Sequence, residues 1–204
     1  MRLPLKSLAA ALLITVSAPA FADKVTDAIG AGLKYYEEQR LAKAIGELGY
    51  AVGQISRRLA EIYEATMPPA PGGWKTQKAR RQGVRGGIFS TGVIINKRYR
   101  QLDGRGSITA QLIVDNPMMQ AFAAMFVNPQ VAAASGFERT RVRGVSEEAL
   151  IKYDPDNKRG EARLMLASRV FIKLNGSGLE SEEVLKEMLQ GWNYAEIKRI
   201  AEIK

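Results

Sequence analysis

The segment from Phe137 to Leu174 constrains this chain more than any other, because its apolar residues recur at every second position. Ala162, Leu164 and Leu166 alternate with Arg163 and Met165. Val170, Ile172 and Leu174 then alternate with Phe171 and Lys173. Read as one strand, 161–174 exceeds the usual span of roughly 3–10 residues. A three-residue loop at Ala167-Ser168-Arg169 would pair Leu166 with Val170, Leu164 with Ile172 and Ala162 with Leu174, giving one apolar face. Ala and Ser are poor turn formers, so a single bent strand stays open as the alternative. Asp154-Pro155-Asp156-Asn157 with Gly160 is strong turn chemistry and joins 147–153 to 161–166. The same turn does not complete a calcium loop, because Lys158 and Arg159 stand where Asp or Asn and Gly are required.

Composition narrows the chemistry. The chain has 204 residues, 46% of them hydrophobic and 25% charged, enough for a core without covalent staples. It contains neither cysteine nor histidine. Disulfides, thiolate metal sites and every Ser-His-Asp, Cys-His or HExxH arrangement are therefore excluded. The first residues read as a Sec-type signal peptide (1–22). Arg2 and Lys6 precede an apolar run from Leu8 to Val16, and Ala20-Phe21-Ala22 is an A-x-A cleavage site. The run falls short of the roughly 20 residues that span a bilayer. Cleavage after Ala22 and a periplasmic location are expected, without a transmembrane segment in the mature chain. Losing Arg2 and Lys6 takes the net charge from +9 to +7.

Residues 23–67 read as a helical hairpin. Leu41, Ala44, Ile45, Leu48, Val52, Ile55, Leu59, Ile62 and Tyr63 recur at helical spacing, and a break is expected at 37–41. Gly32, Tyr35, Ala44, Leu48 and Ala51 fall at the consensus spacing of one tetratricopeptide repeat, which residues 28–61 resemble. Ala28 stands where that family prefers Trp, Gln39 where it prefers Gly, and Ser56 where it prefers Pro. The resemblance implies a helix-turn-helix unit. A lone unit cannot bury its own apolar face, so a plain hairpin docked on the rest of the protein is an equal reading.

Pro68, Pro69, Pro71, Gly72 and Gly73 break the helix and open a basic linker, 68–87, with Trp74 as its anchor to a core. Lys75, Lys78, Arg80, Arg81 and Arg85 make it a candidate anion-binding arm, against the plainer reading of a solvated linker. Residues 89–100 and 107–114 read as a hairpin turning at Asp103-Gly104-Arg105-Gly106. Asn116-Pro117 opens a helix, apolar nearly all round and so expected to be buried, whose methionines fit a core better than a copper site. Asn128-Pro129 opens a second short helix ending at Gly136. Arg139, Arg141 and Arg143 alternate on one predicted strand face, as an anion site or as a solvated face paired with Glu138, Glu147 and Glu148. Two helices, after Ser181 and after Asn193, close the chain.

These elements predict an α+β fold: an N-terminal helical hairpin plus an antiparallel β-sheet domain (88–204) covered by helices. The functional expectation is an exported envelope protein acting as a non-enzymatic binding or accessory module, with no cofactor, metal or catalytic residue. Its partner would be another envelope protein or an anionic lipid or glycan, met through Lys75, Lys78, Arg80, Arg81, Arg139, Arg141 and Arg143. The compartment argues against nucleic acid. The competing expectation is a carboxylate-based hydrolase using Glu147 with Glu148, or Glu161 near Asp154.

Overall fold

The structure, a computed structural model, describes residues 24–82, 92–116 and 119–203. The signal segment, Gly83 with Arg85–Gly87, the first residues of the strand expected from Phe89, and Pro117-Met118 lie outside them. The fold is α+β. An N-terminal pair of helices precedes an eight-stranded antiparallel sheet, with further helices on the sheet.

Helices α1 (Lys24–Glu37) and α2 (Leu41–Glu64) form the hairpin, broken at Gln39, whose φ of 58° ends the first helix. They close on each other through Ala28, Gly32, Ala44 and Ala51, and Leu48 packs against the bare Cα of Gly32. The far end of α2 enters the sheet domain: Ala60, Tyr63 and Met67 belong to the main core. The chain then passes along Thr66–Pro71. Tyr99 donates its hydroxyl to the Pro68 carbonyl at 2.7 Å, and the Asn193 amide donates to the Thr66 carbonyl at 3.0 Å. The strap is thereby fixed to the sheet on one side and the C-terminal helices on the other.

The strands are β1 (Trp74–Thr76), β2 (Arg80–Gln82), β3 (Val93–Gln101), β4 (Ser107–Val114), β5 (Glu138–Arg141), β6 (Glu148–Asp154), β7 (Arg159–Leu166) and β8 (Val170–Ser177). They run in the order β1-β3-β4-β8-β7-β6-β5, with β2 also paired to β3. Residues 74–82, expected within a linker, instead supply the two short edge strands. Prolines and glycines end the helix at 68–73, but Trp74 and Ala79 find apolar partners in the core and draw the basic stretch onto β3.

The β7–β8 hairpin takes the three-residue loop, pairing Leu166 with Val170, Leu164 with Ile172 and Ala162 with Leu174. Ala167 and Ser168 both adopt left-handed conformations, φ 46° and 55°. Neither residue favours this region. The buried rows on both strands fix the register, and the turn yields to them.

Helices cover the two sheet faces unequally. On one face α2, α5 (Glu183–Gln190) and α6 (Tyr194–Ile200) pack over Ile95, Leu112, Ile172 and Leu164, all 0% exposed. The helical hairpin therefore docks on the same face as the C-terminal helices. On the other face α3 (Met119–Val127) and α4 (Pro129–Ala134) cover one end only, over Ile113, Phe171, Met165 and Leu150. Phe122 stacks on Phe171 with centroids 4.6 Å apart. α3 is thus less buried than its composition predicts: a single sheet face receives it, and Val127 remains 81% exposed.

Replacing Ala167-Ser168 by Asn-Gly supplies residues suited to this backbone and is expected to stabilise the fold by about 1 kcal/mol. Thermal denaturation should show a melting temperature about 2–4 °C higher.

Candidate anion-binding face of the sheet

The half of the second face that α3 and α4 leave open is polar, and the register decides which side chains meet there. Directly opposed residues in an antiparallel pair project to the same side. Across the middle of the sheet one row runs Arg98, Thr109, Asn175, Glu161, Lys152, and the next runs Asn96, Gln111, Lys173, Arg163. Arg100, Ser107, Ser177 and Arg159 form a third row towards the far end. A groove of about 650 Å³ lies over this region, lined by Thr109, Lys152, Arg159, Glu161, Asn175 and Ser177 among others.

Glu161 is the electrostatic centre. Its carboxylate lies 2.6 Å from Arg163 Nε and 3.0 Å from Lys173 Nζ, with its side chain 14% exposed. Burial alone would push the carboxyl up. The hydrogen bonds from Arg163 and Lys173 outweigh that and hold it below its usual value of 4.5. The arginine is further immobilised, with Nη1 3.0 Å from Met125 Sδ and its guanidinium over the Phe137 ring, which Lys152 also approaches. Polar neighbours satisfy one another: Gln111 donates to Asn96 at 2.9 Å, and the Ser107 and Ser177 hydroxyls lie 3.1 Å apart. Charge is unbalanced all the same. Among the described residues, Arg98, Arg100, Lys152, Arg159, Arg163 and Lys173 share the face with the carboxylates of Glu161, Asp154 and, at the far edge, Glu148.

The seven cations expected from sequence divide on this frame. Lys75 is opposite Arg100 and Arg80 is opposite Asn96, so both extend the open face at the β3 edge. Arg81 points the other way and pairs with Glu61 at 2.8 Å and with Glu64, both on α2. Lys78 lies between β1 and β2. Arg139 and Arg141 share the second face at its opposite edge, opposite Leu150 and Glu148. Arg139 is engaged by Glu148 at 3.2 Å and by the Phe126 carbonyl at 2.9 Å. Arg143 does not join them in a row. β5 stops at Arg141, ahead of a turn at Arg143-Gly144 in which Gly144 has φ 84°, and Arg143 binds the Gln190 side chain through its amide and Nε.

Sequence reasoning passed over Arg98, Arg100, Lys152, Arg163 and Lys173 as members of a shared face. The available signal was their period-two placement on four strands, but only the pairing partners convert that into one surface. The carboxylates considered for catalysis have structural partners. Glu148 holds Arg139, Glu147 lies 3.8 Å from Lys198, and Asp154 accepts from the amide and side chain of Asn157. Those bonds to Asn157 hold the Asp154 carboxyl below its usual value. No group of three or more Asp or Glu is placed to hold a metal ion among the described residues. No protein-family model matches the chain, and no curated protein or solved structure does.

Glu161 binds a proton less readily in the folded chain than in the unfolded one. Its stabilising contribution is complete above about pH 4.5 and is lost as the pH falls through the lower folded value. Glu161→Gln leaves Lys173 and Arg163 facing each other without a counter-charge. It should destabilise the fold by about 2 kcal/mol at neutral pH and flatten the acid limb of stability. Thermal melts of both forms between about pH 3 and 7 measure this.

Proposed function

We propose that the protein is an exported envelope protein, periplasmic after loss of its signal peptide, that acts as a non-enzymatic binding module. Its ligand is an anionic chain or headgroup laid across the open sheet face. The observation that carries the reading is the pair of like-charge oppositions on that face, Lys173 against Arg163 and Lys75 against Arg100. Like charges directly opposed in a ladder lower stability, so a sheet that needed them only for solubility would alternate their sign. Strands are also rigid supports, on which cations at fixed spacing meet carboxylate, sulfate or phosphate oxygens with little ordering cost. Glu161 holds the two central cations in place through its ion pairs, and the same pairs make it a poor proton donor.

Two ligand sources share this chemistry: acidic glycans and anionic lipid headgroups. Binding of the purified protein to a sulfated or uronic-acid glycan, and to phosphatidylglycerol against phosphatidylcholine vesicles, separates them. We expect saturable binding in one arm, weakened by salt over a Debye length of about 10 Å at 0.1 M. Arg98→Glu with Arg100→Glu, both exposed positions, should lower affinity at least about tenfold. Absence of salt-sensitive binding in both arms refutes the reading. Saturable turnover of a small molecule would move the protein to the hydrolase class.

A further inference from the structure

The helical hairpin carries an apolar surface that the sheet domain does not cover. On α2, Leu41, Ile45, Leu48, Val52, Ile55, Leu59 and Ile62 follow one another at steps of four, three, four, three, four and three. That is a 3.5-residue repeat, the spacing of helices packed side by side in a supercoil. Leu59 is partly buried against the core, while the other six are between 40% and 58% exposed. Beside them on α1, Ile29, Leu33 and Tyr36 are 45%, 56% and 59% exposed. The hairpin closes largely through its small residues, and α2 reaches the main core only with its C-terminal end.

We infer that this surface is the interface with a second copy of the chain, two hairpins combining into an antiparallel four-helix bundle. Period, area and self-complementarity point to that occupant. A 3.5-residue repeat is what a neighbouring helix selects, whereas an isolated straight helix drifts by about 20° per heptad from such a seam. The exposed apolar side chains present on the order of 800 Å², matching the ~800 Å² that each partner buries in a standard interface. An antiparallel pairing of α2 with its copy sets Leu41 against Leu59, Ile45 against Ile55 and Leu48 against Val52, so each of these layers is apolar.

Positions flanking the seam are small except at Arg58. Ala42, Gly49 and Ser56 line one side, and a Cβ on Gly49 would meet nothing within 4 Å. Small flanks let a neighbouring helix approach closely. A lipid-facing stripe would instead carry Lys or Arg all along the apolar residues, but Lys43 and Arg57 lie on the far side of α2 and, of its three cations, Arg58 alone flanks the stripe, near its C-terminal end. The sheet domain sits at the C-terminal end of α2, so the antiparallel arrangement places the two sheet domains at opposite ends of the bundle, clear of each other.

The test is the mass in solution of the protein purified after expression of the full sequence, by sedimentation and light scattering from about 1 to 100 µM. We expect a dimer. Ile45→Glu with Val52→Glu should raise the dimer dissociation constant by roughly a hundredfold or more. Ile45→Ala with Val52→Ala keeps helix propensity and should weaken the dimer in the same direction if the charged variant does not fold. Circular dichroism checks that helix content is retained. A wild-type monomer across the whole range overturns the inference, as does a dimer that both variants leave intact. A monomer whose binding to vesicles these variants abolish would assign the surface to lipid and equally overturn it. The readout is independent of the sheet face, so failure of either reading leaves the other standing.

Discussion

One row of side chains holds the molecule together: Ile95, Leu112, Ile172 and Leu164, each directly opposite the next across β3, β4, β8 and β7, and each 0% exposed. Burying an aliphatic side chain contributes about 1.5–3 kcal/mol, and this row has equally buried neighbours on the same face. Because strand side chains alternate strictly, committing this row to the core commits its neighbours to the other face. Asn96, Gln111, Lys173 and Arg163 therefore lie side by side for the same reason that the apolar row does. The basic face is the reverse side of the core.

The same alternation explains where the helices go. The face carrying the apolar row attracts α5, α6 and the end of α2, whose Leu185, Met188, Leu189, Ile197 and Tyr63 are buried against it. The opposite face is apolar only at one end, at Ile113, Phe171 and Met165, and α3 settles there. Tyr63 shows how complete the closure is: burial, with a contribution from Asp115, pushes its hydroxyl up to about 12 against the opposing effect of Arg169. α2 is continuous from this core to the exposed end of the hairpin.

Much of the architecture was legible in the chain. The break at Gln39, the Asn128 and Asn193 caps, the turn at Asp154–Gly160 and the register of the β7–β8 hairpin all follow from local chemistry and period two. The segment 74–82 was less legible, because its strand pairing depends on contacts with β3 and the core rather than on its own alternation. The burial of α3 was overestimated because composition states how apolar a helix is, but not how much apolar sheet remains to receive it. The Arg139, Arg141 and Arg143 row failed at its last member, since the strand ends at Arg141 ahead of a turn at Arg143-Gly144 that its alternation does not reveal.

By itself the sequence determined the α+β class, the type of every helix and of the longer strands, the apolar face of the β7–β8 hairpin and the exclusion of imidazole and thiol chemistry. These depend on residue identity and on spacing within one element. Only the tertiary structure decided which cations share a surface, that Glu161 is held between Arg163 and Lys173, and that the heptad stripe of α2 stays uncovered. Those facts depend on strand order and helix docking, which bring together residues distant in the chain and which no single segment encodes.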